Sequence, residues 1–369
     1  MRSSATLRRF EILTLGALSM PACNRTPEAK PDAPAPQQVA AVDRPRPSVS
    51  AQGSASAQPA SPSLVTASYR LPASARIVAI GDIHGDLNAL RAALRLAGAV
   101  DSDARWIGKD LTVVQTGDQV DRGDQDREVL DEVAKLEGDA KAAGGALVVL
   151  NGNHELMNAS FDFRYVSRKG FAGFADFAER AGGAALRLPD EQRGRAAAFT
   201  PGSAYALMLA RHLTVALVGD SLFAHGGVLP AHVDYGLDRI NAETQSFLAG
   251  KRPLSAVLSG EDAPVWTRVY GSPEVDDATC QMLGRVLAQV GAKRLIVGHT
   301  VQQGSISSAC QERLFRIDVG LSAYYGDHPA QVLELTAQGA RILKAGAAAA
   351  PSALPKKSQA ADSALHSSP

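Results

Sequence analysis

Four times along this chain a short apolar run gives way to a glycine and a side chain able to bind metal. The first is Ile77-Val78-Ala79-Ile80 running into Gly81-Asp82-Ile83-His84-Gly85-Asp86; the others end in Gly117-Asp118, Gly152-Asn153-His154-Glu155 and His225-Gly226-Gly227. An aspartate and an imidazole two residues apart face one point only where the backbone bends sharply as it leaves a strand, and flanking glycines permit that bend. The repeated pattern implies an open α/β arrangement in which ligating groups gather at the carboxyl ends of strands.

The remaining periodicity agrees. Strands are expected at Ile77–Ile80, Leu111–Val114, Ala146–Leu150, Leu213–Val218, Ser221–Ala224, Arg294–Val297, Leu314–Asp318 and Gln331–Thr336, with helices at Leu87–Ala97, Arg127–Ala143 and Ala278–Val290. Between Met157 and Leu213 no strand pattern is visible, and aromatic residues (Phe161, Phe163, Tyr165, Phe171, Phe174, Phe177) recur. This stretch reads as a mostly helical insertion, about 157–213, whose aromatics chiefly pack together, with one wall of a substrate groove as the alternative.

The ends differ in character. Residues 1–23 place Arg2, Arg8 and Arg9 before a short apolar run that ends at Cys23, the shape of an export signal too short to span a bilayer. Cys23 is a candidate lipid anchor, although Met20-Pro21-Ala22 fits a lipobox poorly, and a cytosolic tail is the competing reading. Residues 24–68 are rich in Pro, Ala, Ser and Gln and read as a disordered linker; 345–369 read as a disordered tail, leaving 69–344 as the catalytic domain. An exported protein, periplasmic or held at a membrane as a lipoprotein, is therefore expected.

Thirty-eight basic and 38 acidic residues cancel, so no nucleic-acid partner is expected, because a polyphosphate backbone calls for concentrated positive charge. Of three cysteines, Cys280 and Cys310 either pair in an oxidising compartment or stay as buried thiols; no CxxC suggests a zinc ribbon.

The polar turns specify a two-metal centre. Asp82 and His84 supply an oxygen and a nitrogen to one ion, Asp118 bridges to a second, and Asn153, His225 and His299 complete the second set. Mixed carboxylate and imidazole ligation suits manganese, iron or zinc rather than calcium. Such a pair can share a hydroxide and direct it at phosphorus. Arg122 can fork onto phosphate oxygens. His154, next to ligand Asn153, cannot normally aim at the same ion and is read as the general acid, with Asp121 holding its ring.

Taken together, Gly81-Asp82-Ile83-His84-Gly85, Gly117-Asp118-Gln119-Val120-Asp121-Arg122-Gly123, Gly152-Asn153-His154-Glu155, His225-Gly226-Gly227 and Gly298-His299-Thr300 resemble the signature of PPP-type phosphoprotein phosphatases within the calcineurin-like metallophosphoesterases, nearest to the bacterial Shewanella-like phosphatases. The likeness covers roughly residues 77–336. It implies a central β-sandwich flanked by helices, two divalent ions (Mn, Fe or Zn), and hydrolysis of a phosphorylated protein or small phosphoester without a phosphoenzyme, with a hint of phosphotyrosine. Through Trp266-Thr267-Arg268 it implies a second phosphate-binding arginine, Arg268, and it puts Tyr324 near the phosphate. The sequence departs from the eukaryotic enzymes in its insertion and after His299.

Competing readings are a dinucleoside polyphosphate hydrolase of the same superfamily and a non-catalytic surface binding module. The module would be betrayed by a missing ligand, and none is missing. Arg268 could be an ordinary surface ion-pair residue and Tyr324 a packing residue.

Overall fold

The computed structural model describes residues 68–72 and 74–346. The expected export segment with Cys23, linker residues 24–67 and the tail from 347 lie outside them.

In chain order the strands are β1 (Arg70–Leu71), β2 (Arg76–Ile80), β3 (Thr112–Gln115), β4 (Ala146–Val149), β5 (Val215–Val218), β6 (Ser221–Ala224), β7 (Arg294–Val297), β8 (Ser307–Ala309), β9 (Leu314–Arg316), β10 (Gln331–Thr336) and β11 (Gly339–Lys344). The helices are α1 (Leu87–Leu96), α2 (Asp126–Ala142), α3 (Asn153–Ala159), α4 (Arg168–Ala172), α5 (Asp190–Phe199), α6 (Ala204–Leu209), α7 (Pro230–Tyr235), α8 (Leu237–Leu248) and α9 (Asp277–Val290). Each expected strand and helix is present, with ends shifted by a residue or two.

The strands form two sheets, ordered β1-β5-β6-β7-β9-β8 and β11-β10-β2-β3-β4. Side chains alternate across a strand, and here the alternation divides two cores. Ala216, Val218, Phe223 and Ile296 join Ile77, Val113 and Leu333 of the other sheet in one core. Their neighbours Val215, Leu217, Leu222, Ala224, Leu295 and Val297 instead pack with Ile240 and Phe247 of α8 and Leu283, Val286 and Leu287 of α9. The sheets thus face one another, and helices cover the outside: Leu90 and Leu94 of α1 and Val133 and Leu136 of α2 sit on the five-stranded sheet. This is the sandwich the motif resemblance implied.

Strands β2, β3 and β4 run parallel, as do β6, β7 and β9. Their carboxyl ends are joined across the sandwich. The His299 amide donates to both Asp82 carboxylate oxygens at 3.3 and 3.1 Å, and His225 Nδ1 lies 2.9 Å from the Thr116 carbonyl.

Between α3 and β5 the regular elements of the described chain are all helical: α4, two 3₁₀ turns (Ala175–Arg180 and Gly183–Arg187), α5 and α6, joined by turns. Most of its aromatics pack on one another, as in the edge-on contacts of Phe174 with Phe199 at 5.2 Å and with Tyr205 at 4.9 Å. Tyr165 is the exception, half-exposed and turned toward the strand ends. A disulfide joins Cys280 in α9 to Cys310 in the turn between β8 and β9.

Candidate metal and phosphate site

The strand-end turns interlock through their backbones. The amides of Ile83 and His84 both donate to the Asp118 carbonyl, at 3.0 and 2.9 Å, and Gly123 N donates to the His84 carbonyl at 3.0 Å. Five residues of these turns, His84, Asp118, Asp121, Arg122 and His299, have φ between 49° and 72°. Left-handed backbone costs a non-glycine residue roughly 1–2 kcal/mol, so this geometry is held by its surroundings. Close approach explains two glycines: a methyl at Gly152 would meet the Asp118 carboxylate, and one at Gly298 the Asp82 carboxylate.

Asp82, His84, Asp118, Asn153, His154, His225 and His299 are all buried together. Asp118 is common to two sets of converging groups, one with His84 and His154 and one with His225 and His299, each with its ligand atoms within 4.8 Å of one another. Asp118 Oδ2 lies 3.8 Å from His84 Nε2 and 3.2 Å from His225 Nε2. Asp82 joins the first set, 4.0 Å from His84 Nε2, and the Asn153 amide oxygen joins the second, 3.0 Å from His225 Nε2.

The imidazoles sort by what holds their other nitrogen. His84 Nδ1 meets the Val120 carbonyl at 3.1 Å, His225 Nδ1 the Thr116 carbonyl at 2.9 Å, and His299 Nε2 the Trp266 carbonyl at 3.0 Å. A ring nitrogen that donates to a backbone carbonyl leaves the other nitrogen of the neutral ring with the lone pair that a metal ligand requires. Burial holds His84 and His299 neutral, pushing them down to about 3 and about 2. Asp82 is pushed well above the usual carboxylate range by burial and by Asp318 and Asp118 beside it. Neutral imidazoles and crowded carboxylates in a buried cradle form a donor set that divalent cations fit.

His154 is different. Its Nδ1 faces a carboxylate, Asp121 Oδ2, at 2.7 Å, and its Nε2 lies 3.7 Å from Asp118 Oδ2. Burial acts to lower its pKa, but Asp118 and Asp121 outweigh it and raise it. Its ring could reach the first set of ligands by distance alone. Its partner, however, favours the charged form, the opposite of what a ligand needs.

Around the mouth, Arg122 Nη1 lies 2.8 Å from His84 Nε2, and its guanidinium sits over the rings of Tyr165, Tyr324 and Tyr325 at 5.4, 5.9 and 5.3 Å. Tyr324 is 62% exposed, while the neighbouring Tyr325 packs against the His84 ring at 5.8 Å. Arg268 forms no ion pair among the described residues; its Nη1 donates to the His299 carbonyl and to Thr300 Oγ1 at 3.1 and 3.0 Å. It borders a cleft of about 710 Å³ lined by Arg164, Glu261, Asp262, Trp266 and Val269. All eleven candidate residues therefore fall in the strand-end cluster or on its rim.

Three buried residues had no role assigned from sequence. Glu155 accepts from Asp118 N and Gly152 N at 2.9 and 2.6 Å through Oε2 and from Gln119 N at 2.8 Å through Oε1, binding two turns together. It stands three residues after the N-cap Gly152, a capping pattern that could have found it. Asn158, one helical turn beyond His154, donates to Asp121 Oδ1 at 2.9 Å. Arg195 reaches the same oxygen from α5 at 2.8 Å; its one sequence signal is a charge inside the run Gly194–Phe199.

Residues 75–303 match the family model for calcineurin-like phosphoesterases. The chain is 37% identical over 301 residues to Shewanella-like protein phosphatase 2 of Arabidopsis thaliana, covering 73% of this chain and 77% of that protein. It is 28% identical over 258 residues to Shewanella-like protein phosphatase 1 of Plasmodium berghei (strain Anka), covering 68% of each. A solved structure of a cold-active protein-tyrosine phosphatase from a psychrophilic Shewanella species shares the fold, with TM-score 0.62 and 23% identity over 75% of this chain and 82% of that one.

Proposed function

The chain belongs to the calcineurin-like phosphoesterase family and is a phosphoester hydrolase related to the Shewanella-like protein phosphatases, and on that premise we propose that it hydrolyses phosphate monoesters, phosphotyrosine in proteins among them, at a dinuclear centre bridged by Asp118. The observation that carries this reading is Asp118 itself, one buried carboxylate shared by two sets of inward-facing imidazoles.

Asp82, His84 and Asp118 would hold one ion, and Asp118, Asn153, His225 and His299 the other. When bound, two such ions acidify water and neutralise phosphoryl charge. Manganese, iron and zinc all suit this donor set. The chain's own residues do the rest. Arg122, steered by its three tyrosines, forks onto the non-bridging phosphoryl oxygens, with Arg268 assisting from its place beside His299 and Thr300. Attack of a water oxygen on phosphorus breaks the bond to the ester oxygen, which leaves with the electron pair. His154 delivers its Nε2 proton to that oxygen, and the proton shed by the water balances the one donated. Asp121, on Nδ1, keeps the ring charged and aimed until transfer.

Tyr165, Tyr324 and Tyr325 around Arg122 support an aromatic ester, since rings at the mouth can flank a phenyl leaving group. Asp118→Asn and His225→Ala are expected to abolish hydrolysis of aryl phosphates and phosphotyrosine peptides. Undiminished turnover by either variant would overturn the reading.

Export and lipidation at Cys23 complete the proposal. Support comes from the basic start and short apolar run of residues 1–23 and from the Cys280–Cys310 bridge, which persists best in an oxidising compartment. Cell fractionation with fatty-acid labelling tests it; an unlabelled protein in the cytosolic fraction would refute it.

A further inference from the structure

Arg195 is a guanidinium with no exposed surface, carried by a helix of the insertion and remote in sequence from every strand-end turn. Burying such a charge costs several kcal/mol unless its donors are met. Here they are met by groups behind the acid histidine. Nη2 donates to Asp121 Oδ1 at 2.8 Å; Nη1 donates to Asp126 Oδ2 at 2.6 Å and to the Gly170 carbonyl at 2.9 Å; Nε donates to Asn158 Oδ1 at 2.6 Å. Phe174 and Phe199 cover it, with centroids 5.3 and 5.1 Å from Cζ.

The partners close a loop. Because arginine only donates, the Asn158 oxygen must face Nε, which turns its amide nitrogen to Asp121 Oδ1 at 2.9 Å and to the His154 carbonyl at 2.9 Å. Asp126 Oδ1 accepts the Asp121 amide at 3.0 Å. Asp121 is thereby fixed at its backbone and at Oδ1, and Oδ2 alone is left for His154 Nδ1, at 2.7 Å.

We propose that Arg195 is a positioning residue for leaving-group protonation: through Asp121 and Asn158 it sets the plane and tautomer of His154, making the helical insertion a working part of the site. This rests on His154 as the acid. Besides Asn158 and Tyr165, the insertion then reaches the chemistry through a buried arginine that touches neither substrate nor metal ligand.

The test separates the two claims by leaving group. An aryl phosphate with a strongly acidic leaving group, such as 4-nitrophenyl phosphate, leaves with little help from an acid, whereas an alkyl ester such as phosphoserine requires it. His154→Asn should lose on the order of 10²–10⁴-fold in kcat/KM on the alkyl ester and far less on the nitrophenyl ester. Arg195→Lys keeps the charge but lacks the fork that joins four partners; it should lose roughly 10–100-fold on the alkyl ester, again with a much smaller loss on the nitrophenyl ester. Arg195→Met should lose more, and combining it with His154→Asn should add little. Metal content and melting curves of each variant monitor folding; if the Met variant does not fold, the Lys variant decides. Equal losses on both esters, or none, in Arg195→Lys while His154→Asn discriminates would overturn the role of Arg195. No discrimination by His154→Asn would instead overturn the reading of His154.

Discussion

Replacing Glu155 by glutamine changes one atom of a carboxylate that holds three backbone amides. Oε2 receives Asp118 N and Gly152 N, and Oε1 receives Gln119 N. With the amide oxygen kept at the Oε2 position, two charge-assisted bonds become neutral, a loss of about 1 kcal/mol each; the new NH₂ then confronts the Gln119 amide, leaving a buried donor unpaired at about 1–3 kcal/mol. Removing a negative charge beside Asp118, which together with burial pushes the Glu155 carboxyl upward, offsets part of this. The expected net loss is about 2–4 kcal/mol, or roughly 3–7 °C in Tm for a domain of this size. Asp118 sits at φ 56°, so loosening its clamp also lets its carboxylate, shared by the two candidate ligand sets, relax out of register. Differential scanning calorimetry of wild type and Glu155→Gln, both with and without a chelator, separates folding from metal binding. A Tm unchanged to within about 2 °C without metal would refute the clamp and the bond values assigned to it.

Other perturbations follow from the same geometry. Gly298→Ala drives a methyl into the Asp82 carboxylate and to 2.9 Å from Thr116 Oγ1; metal content should fall and kcat drop about 10–100-fold, measured by elemental analysis beside an aryl phosphate assay. Loss of the Cys280–Cys310 bridge, which spans 30 residues on the side of the fold carrying α9, should reduce stability by about 3–4 kcal/mol in denaturant titrations while leaving kcat unchanged. Metal added to stripped protein should raise Tm in proportion to the logarithm of its excess over Kd, and a chelator should reverse the gain.

Much of the site was legible because its chemistry is local. Each candidate ligand stands within a few residues of a strand end, and the apolar run before it marks the strand; Asp82, Asp118, Asn153, His225 and His299 are all of this kind. The sandwich itself was carried by motif resemblance, since alternation in Val215–Val218 or Ser221–Ala224 is apolar on both faces and gives no register. Residues acting across long sequence separations stayed hidden. Arg195 meets Asp121 at a separation of 74, and nothing near α5 hints at a strand-end turn. Strands β1 and β8 have two and three residues, too short for a period-two signal, and β11 is largely solvent-facing.

The central claim is that Asp118 bridges two ions on which turnover depends. Stripped protein titrated with Mn²⁺, with bound metal measured by equilibrium dialysis and hydrolysis followed on an aryl phosphate, tests it most directly. The account predicts no turnover without metal, two ions per chain at saturation, and in Asp118→Asn the loss of both tight binding and activity. Full hydrolysis by the stripped protein, or wild-type binding and turnover in Asp118→Asn, would contradict it.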